Sequence, residues 1–245
     1  MANRRQVLIG AAGLVAAAAP VVSRAAAPFA TTPDAGDFIY DYIFVDAAPG
    51  AGQVHQKAFI ASLPEAAAAV RAAGGEALGY LTPLIGWTSQ QLALVLRWKN
   101  GAAGREDVVK LLTTHPAVQT VERSRLAATV RPAPSDLPLT RGIYTLRWFE
   151  VKTADVPEFI ALSEKAWPYF ENEFPSRVFG LFRAAQTRDE ARRGVTRMLL
   201  NTQYDSHAVW EASRRPSSEP TELFSRRNDL TLTTRVASLR FNPLG

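Results

Sequence analysis

The chain contains no cysteine, three histidines and two methionines. The first absence removes disulfides and thiolate metal sites together, so stability has to come from packing. The histidines, His55, His115 and His207, stand far apart, and none has metal-ligand spacing to another, which predicts no metal centre. A strong charge of either sign is missing too. The 28 Lys and Arg face 23 Asp and Glu, and Arg4, Arg5 and Arg24 fall in the first 27 residues, which hold no acid. The remainder is close to neutral and lacks the clustered basic footprint that nucleic acid requires, so a nucleic-acid partner is excluded. No Ser-His-Asp set, Gly-rich phosphate loop or paired-carboxylate signature stands out.

Long hydrophobic runs are absent except at the start. From Val7 to Val22 every residue is apolar, Gly or Pro, a run shorter than the roughly 20 residues that span a bilayer comfortably. Arg4-Arg5 precede it, with Val7 and Leu8 following, which resembles a twin-arginine export signal; Ala25-Ala26-Ala27 offers an A-x-A cleavage site. Residues 1–27 are therefore expected to be a signal peptide, with a retained anchor as the competing reading. The expected location is the periplasm or another exported compartment, with no membrane association after cleavage.

The remaining chain, 47% hydrophobic over its full length, has material for two cores. "RPAPSDLPLTRG" (131–142) carries three prolines and no apolar period, so it reads as a connector. The resulting division is a first unit over 28–131, a linker over 132–141 and a second unit over 142–245. In the first unit, the aromatic and β-branched stretch 38–45 predicts a strand. A helix with Ala58, Phe59, Leu63, Ala66 and Val70 on one face follows, and Pro64 predicts a kink or break in it. Two strands over 76–86 and 91–98, a second helix from Arg105 to about Leu112, and a strand over 123–131 complete the unit. The second unit repeats the order: strand 142–151; a helix with Val156, Phe159, Ile160, Trp167, Phe170 and Phe174 inward and a kink expected at Pro168; strands 176–187 and 195–204; a helical stretch from Ser206, interrupted by "RPSSEP"; and strand 230–241.

Each half thus reads β-α-β-β-α-β. Ile39-Tyr40 lies 104 residues before Ile143-Tyr144, which supports an internal duplication. Such a unit is ferredoxin-like, with both helices on one face of a four-stranded antiparallel sheet and the other face bare. The expected architecture is α+β: two tandem ferredoxin-like units whose bare sheet faces pack together as an intramolecular dimeric α+β barrel.

From Gly142 to Glu171 the sequence resembles the NIPSNAP family of dimeric α+β-barrel proteins, whose units open on a Tyr-x-Leu-Arg strand leading to a Lys-containing turn. Tyr144, Leu146, Arg147 and Lys152 occupy those positions. "VFGLFR" (178–183), "YDS" (204–206) and Arg214 extend the likeness over 142–241. The first half departs from it, with Asp41 and Ile43 where Thr145 and Arg147 stand in the second. The resemblance implies the fold more than any reaction, because the family has no common established activity.

Arg147 shares a strand face with Thr145 and Phe149, opposite Tyr144, Leu146 and Trp148, and one of these sets must line the barrel. A buried arginine demands an anion or an acceptor. The functional expectation is a ligand site in the cavity formed by Arg147, Thr145, Phe149, Asp41, Arg183 and Asn201, in which Arg147 binds a carboxylate or other anionic group. An ion pair from Arg147 to Asp41 across the pseudo-twofold axis is the structural counterpart. No cofactor is expected, with haem on His115 or His207 as a minor alternative. The main functional expectation is binding of a small apolar or anionic molecule between the sheets. Two rivals stand beside it: a cofactor-independent monooxygenase-like or haem-dependent barrel enzyme drawing on Tyr40, Tyr42, Trp98, Asn100, Trp148 and Tyr204, and a protein-interaction module. Further self-association is left open.

Overall fold

A computed structural model of the chain describes residues 36–215 and 218–244. The proposed signal peptide lies outside the described residues. Eight strands, β1 (Phe38–Ala47), β2 (Gly75–Ile85), β3 (Gln91–Lys99), β4 (Val118–Ala128), β5 (Ile143–Lys152), β6 (Ser176–Ala184), β7 (Val195–Tyr204) and β8 (Thr231–Pro243), form one closed antiparallel barrel in the order β1-β3-β2-β8-β5-β7-β6-β4. Each half contributes four neighbouring strands. The halves join where β2 pairs with β8 and where β4 pairs with β6. Closure gives every strand a neighbour on both sides, although the β4–β6 seam is short, with Leu126–Ala128 paired to Phe182–Ala184.

Strand alternation divides the side chains into an inner and an outer set. Tyr40, Tyr42, Leu81, Val95, Leu126, Tyr144, Leu146, Phe182, Leu199 and Leu239 pack inside the barrel. Phe182 of the second half meets Tyr40 and Tyr42 of the first, with ring centroids 5.0 and 5.7 Å apart. Burying such a side chain contributes roughly 1.5–3 kcal/mol, and here the partners come from different halves. The centre of the barrel is thus filled by side chains.

The outer set lies under helices. Helices α1 (Val54–Ala72) and α2 (Arg105–Thr113) bury Phe59, Leu63, Val70, Val108 and Leu112 against Ile43, Val45, Leu94 and Trp98. In the second half α3 (Val156–Glu173) buries Phe159 and Trp167 against Phe149, Leu181 and Met198. Both long helices run unbroken through their prolines, so the break considered at Pro64 does not occur. β4 begins at Val118, five residues before the expected start, because its first residues pair with the end of β1. The last helical stretch is two helices, α5 (His207–Ala212) and α6 (Ser218–Asp229).

One helix has no counterpart in the sequence reading. α4 (Arg188–Arg193) separates β6 from β7 and is held by a capping box: the Thr187 hydroxyl accepts from the Glu190 backbone N–H, while the Glu190 carboxylate accepts from that of Thr187. Gly194, at φ 63°, ends it in the left-handed conformation that glycine adopts without strain.

Candidate functional site

The two ends of the barrel differ. At one end the connector lies against the strands: Arg97 donates to the carbonyl oxygens of Pro134 (2.6 Å) and Asp136 (3.4 Å), the Tyr144 hydroxyl donates to that of Leu139 (2.9 Å), and Arg177 pairs with Asp136. The other end opens into a cavity of about 990 Å³. Its aromatic surface is Phe44, Trp87 and Trp148, with the Phe44 ring 5.5 Å from Trp87 and 6.2 Å from Trp148. Leu146 and Ala237 add apolar floor, and Thr120, Glu122, Arg197 and Arg235 come from the strand ends around it. Strand direction explains this set: β1 and β5 finish here while β4, β7 and β8 start here.

Arg197 organises one wall. Its guanidinium lies over the Trp148 ring at 5.1 Å, and it contacts two carboxylates, Glu190 at 2.6 Å and Glu122 at 3.2 Å. The Glu190 contact is an ion pair without hydrogen-bond geometry at Nε. Glu190 is buried because α4 folds over this edge, so the capping box that starts α4 also places a carboxylate in the cavity wall. Asp46 accepts a hydrogen bond from Thr120 at 2.7 Å. Arg235 is exposed at the rim and has no carboxylate partner among the described residues.

Beneath the floor, the Asn201 amide donates to the Tyr42 hydroxyl at 2.9 Å, and Asn201 Oδ1 has no hydrogen-bond partner among the described residues. Asn201 stands opposite Leu146, a residue of the cavity floor, in the β5–β7 register, and does not itself line the cavity. Complete burial pushes the Tyr42 pKa upward, against a smaller opposing effect of the Asn201 hydrogen bond, and keeps the phenol neutral.

Of the residues expected to bind an anion together, only Asn201 is inside the barrel. Tyr144, Leu146 and Trp148 supply the inner face of β5, so Thr145, Arg147 and Phe149 point outward, towards the helices. Arg183 shares that outer side, being the register partner of Met198, which packs under α3. Asp41 also faces outward, but in the first half. It accepts four hydrogen bonds of 2.8–3.0 Å from Arg105 and Arg123, so the ion pair considered with Arg147 does not form. The six residues do not converge on one site.

Of the mouth residues the sequence marks only Trp148 as a functional candidate, because β5 has apolar side chains in both alternating sets and nothing local distinguishes inner from outer. A usable signal existed for Glu190: Thr-x-x-Glu from Thr187 followed by Gly194.

His115 Nδ1 accepts from the Ala117 backbone N–H at 3.2 Å, and His207 Nε2 is 2.9 Å from the Ser238 hydroxyl. Neither lines the mouth, so that cavity offers no axial ligand for haem iron. Among the described residues no group of His, Asp and Glu could hold a metal ion.

No protein-family model matches the chain, and no curated protein matches its sequence. Solved structures do. An anthrone oxidase-like protein superposes with a TM-score of 0.59 at 13% identity, covering 85% of this chain and 94% of its own. A candidate monooxygenase from Lactobacillus acidophilus NCFM gives 0.56 at 10% identity, over 86% and 98%. A candidate chlorite dismutase gives 0.53 at 12% identity, over 86% and 97%. The chain has the dimeric α+β-barrel fold. At these identities the likeness shows the fold alone. In this α+β barrel both sheets belong to one chain, so the two ends are free to differ, and the connector covers only one of them.

Proposed function

We propose that this chain is an exported, NIPSNAP-like α+β-barrel protein that binds a small, largely apolar or anionic molecule in the open mouth between its two sheets. The observation that carries the reading is the roughly 990 Å³ cavity, with Phe44, Trp87 and Trp148 on its surface, at the one end that the connector leaves uncovered. Its size matches small-molecule sites, which are mostly apolar with few polar groups. Three aromatic rings favour a planar apolar body, and Arg235 at the rim suits an acidic substituent. The NIPSNAP likeness rests on Tyr144, Leu146, Arg147 and Lys152, and export rests on Arg4-Arg5 with the apolar run behind them.

Native mass spectrometry of protein exported by its own host tests the reading: an added mass lost on denaturation is the expected result. Trp87 and Trp148 then report binding by fluorescence, and Trp148→Ala should weaken it about tenfold or more without changing the melting temperature by more than a few degrees. A bare mass with unchanged fluorescence across a metabolite panel would remove the ligand-binding reading.

A second reading is favoured by the unpartnered Asn201 Oδ1 beside Tyr42 beneath the floor: oxidation of the bound molecule by dioxygen without a cofactor. Solved structures of this fold described as a candidate monooxygenase and an anthrone oxidase-like protein support it. Ligand-dependent oxygen uptake that is abolished in Asn201→Ala, while binding survives, is its expected signature; binding without uptake leaves a carrier.

A further inference from the structure

On the helix-covered face of the second half, away from the floor of the mouth, the buried Arg227 and the half-buried Arg147 have no anionic partner among the described residues. Arg227, in the last turn of α6, is 5% exposed. Its guanidinium carbon lies 5.0, 5.3 and 5.7 Å from the ring centroids of Phe224, Phe149 and Phe159. Its Nε has no hydrogen-bond partner, and among the described residues no carboxylate pairs with Arg227 or with the half-buried Arg147. The neighbouring charges are cations. Burial foremost, then Arg147 and Arg214, pushes the Arg227 pKa down to about 9, and burial followed by Arg214 lowers that of Arg147. Only Tyr204 acts in the opposite direction on either. Aromatic faces stabilise a cation through the ring quadrupole, but they give five N–H donors nothing to donate to.

The first half shows what is missing. There, Arg105 and Arg123 are buried at the same sheet–helix layer, and both converge on Asp41. With Ile39-Tyr40 and Ile143-Tyr144 aligned, Asp41 corresponds to Thr145, and Ile43 to Arg147. The duplication has therefore exchanged the carboxylate for a hydroxyl in the half where unpaired arginines collect. Thr145 sits opposite Thr202 and Ser238 in the register, and all three are buried. This patch of hydroxyls is two residues along β5 from Arg147.

We propose that the layer between β5 and α6 is a binding site for one small oxyanion, a carboxylate or phosphate group, which Arg227 and Arg147 hold in place of the carboxylate that Asp41 supplies in the first half. The site is independent of the mouth and stands whether or not the mouth binds a ligand. A free anion and the acidic group of a larger metabolite share this chemistry.

The test uses the full chain and two probes, sodium phosphate and sodium acetate, titrated against sodium chloride at fixed ionic strength and read by thermal unfolding. At least one probe should raise Tm saturably, by roughly 5–10 °C at a hundredfold excess over its Kd. A response to phosphate alone selects the dianion, to acetate alone the carboxylate, and to both the shared oxyanion class. Arg227→Met keeps an apolar side chain among the three rings and should abolish the rise. In chloride alone the same variant should melt at least about 3 °C above the parent, since a buried unpaired cation is gone. A merely structural arginine would show the opposite sign. If Arg227→Met fails to fold, Arg147→Gln at the half-buried strand position should shift the midpoint of the anion response at least tenfold. Anion responses equal to chloride in the parent, or unchanged in the variants, would overturn the proposal.

Discussion

Asp41 is completely buried, and its charge is tolerated because two guanidiniums present four N–H donors to its two oxygens. Burial alone raises its pKa; the hydrogen bonds and charges of Arg105 and Arg123 outweigh that and hold it below the usual carboxylate range. The folded state therefore gives up this proton more readily than the unfolded chain, which binds more protons on acidification. The stabilisation is complete above the unfolded pKa of about 4 and is lost as pH falls through the lower folded value. Asp41→Asn should cost about 3–5 kcal/mol in urea unfolding at pH 7, because it leaves the buried Arg105 without a carboxylate and Arg123 with Glu106 alone. Below pH 4 the variant's stability should also fall less steeply than the parent's. A loss under about 1 kcal/mol with an unchanged acid limb would mean that the network does not stabilise the fold. Sequence reading could mark Asp41 as an unusual acid in an apolar strand, but its partners lie 64 and 82 residues away. The same limit applied at Arg147. In a sheet covered on both faces, Tyr144, Leu146 and Trp148 cannot be told from Thr145, Arg147 and Phe149 by hydropathy alone.

The β-α-β-β-α-β order of each half was legible because strands and helices here differ in period and length, and the prolines of the connector separate the two copies. Short elements were not. α4 has six residues, fewer than two helical turns, and carries no amphipathic period; its evidence is confined to its caps. Yet this helix sets the cavity wall, since Thr187 and Glu190 both line the mouth and Glu190 holds Arg197 over Trp148. Thr187→Ala should therefore act on two observables. Loss of the cap should reduce stability by about 1 kcal/mol, measured by chemical denaturation. Loosening of Glu190 should also weaken ligand affinity at the mouth, read from the same tryptophan fluorescence. A stability loss with unchanged affinity would show that Arg197 keeps its place through Glu122 alone, which is 3.2 Å away.

The interior of the barrel belongs to neither half. Tyr40, Tyr42 and Val95 come from the first and Tyr144, Phe182 and Leu239 from the second, and each four-stranded sheet alone would expose one whole apolar face. That exposure far exceeds what soluble monomers carry. Separately produced fragments 28–135 and 136–245 should each aggregate or self-pair, whereas co-expression should give a 1:1 complex measurable by light scattering. The connector is then chiefly a source of effective concentration, with one further consequence. Arg97 and Tyr144 reach carbonyl oxygens on both sides of this cut, Pro134 before it and Leu139 after it, so a nicked complex should still hold its inner core while the covered end loosens. Hydrogen exchange on the reassembled complex distinguishes the two effects: protection in β1 and β5 should persist near their centres and fall at Phe38–Tyr40 and Ile143–Tyr144. If instead each fragment melts cooperatively as a monomer, the shared interior is not what joins the halves, and the polarity between a covered and an open end would need another origin.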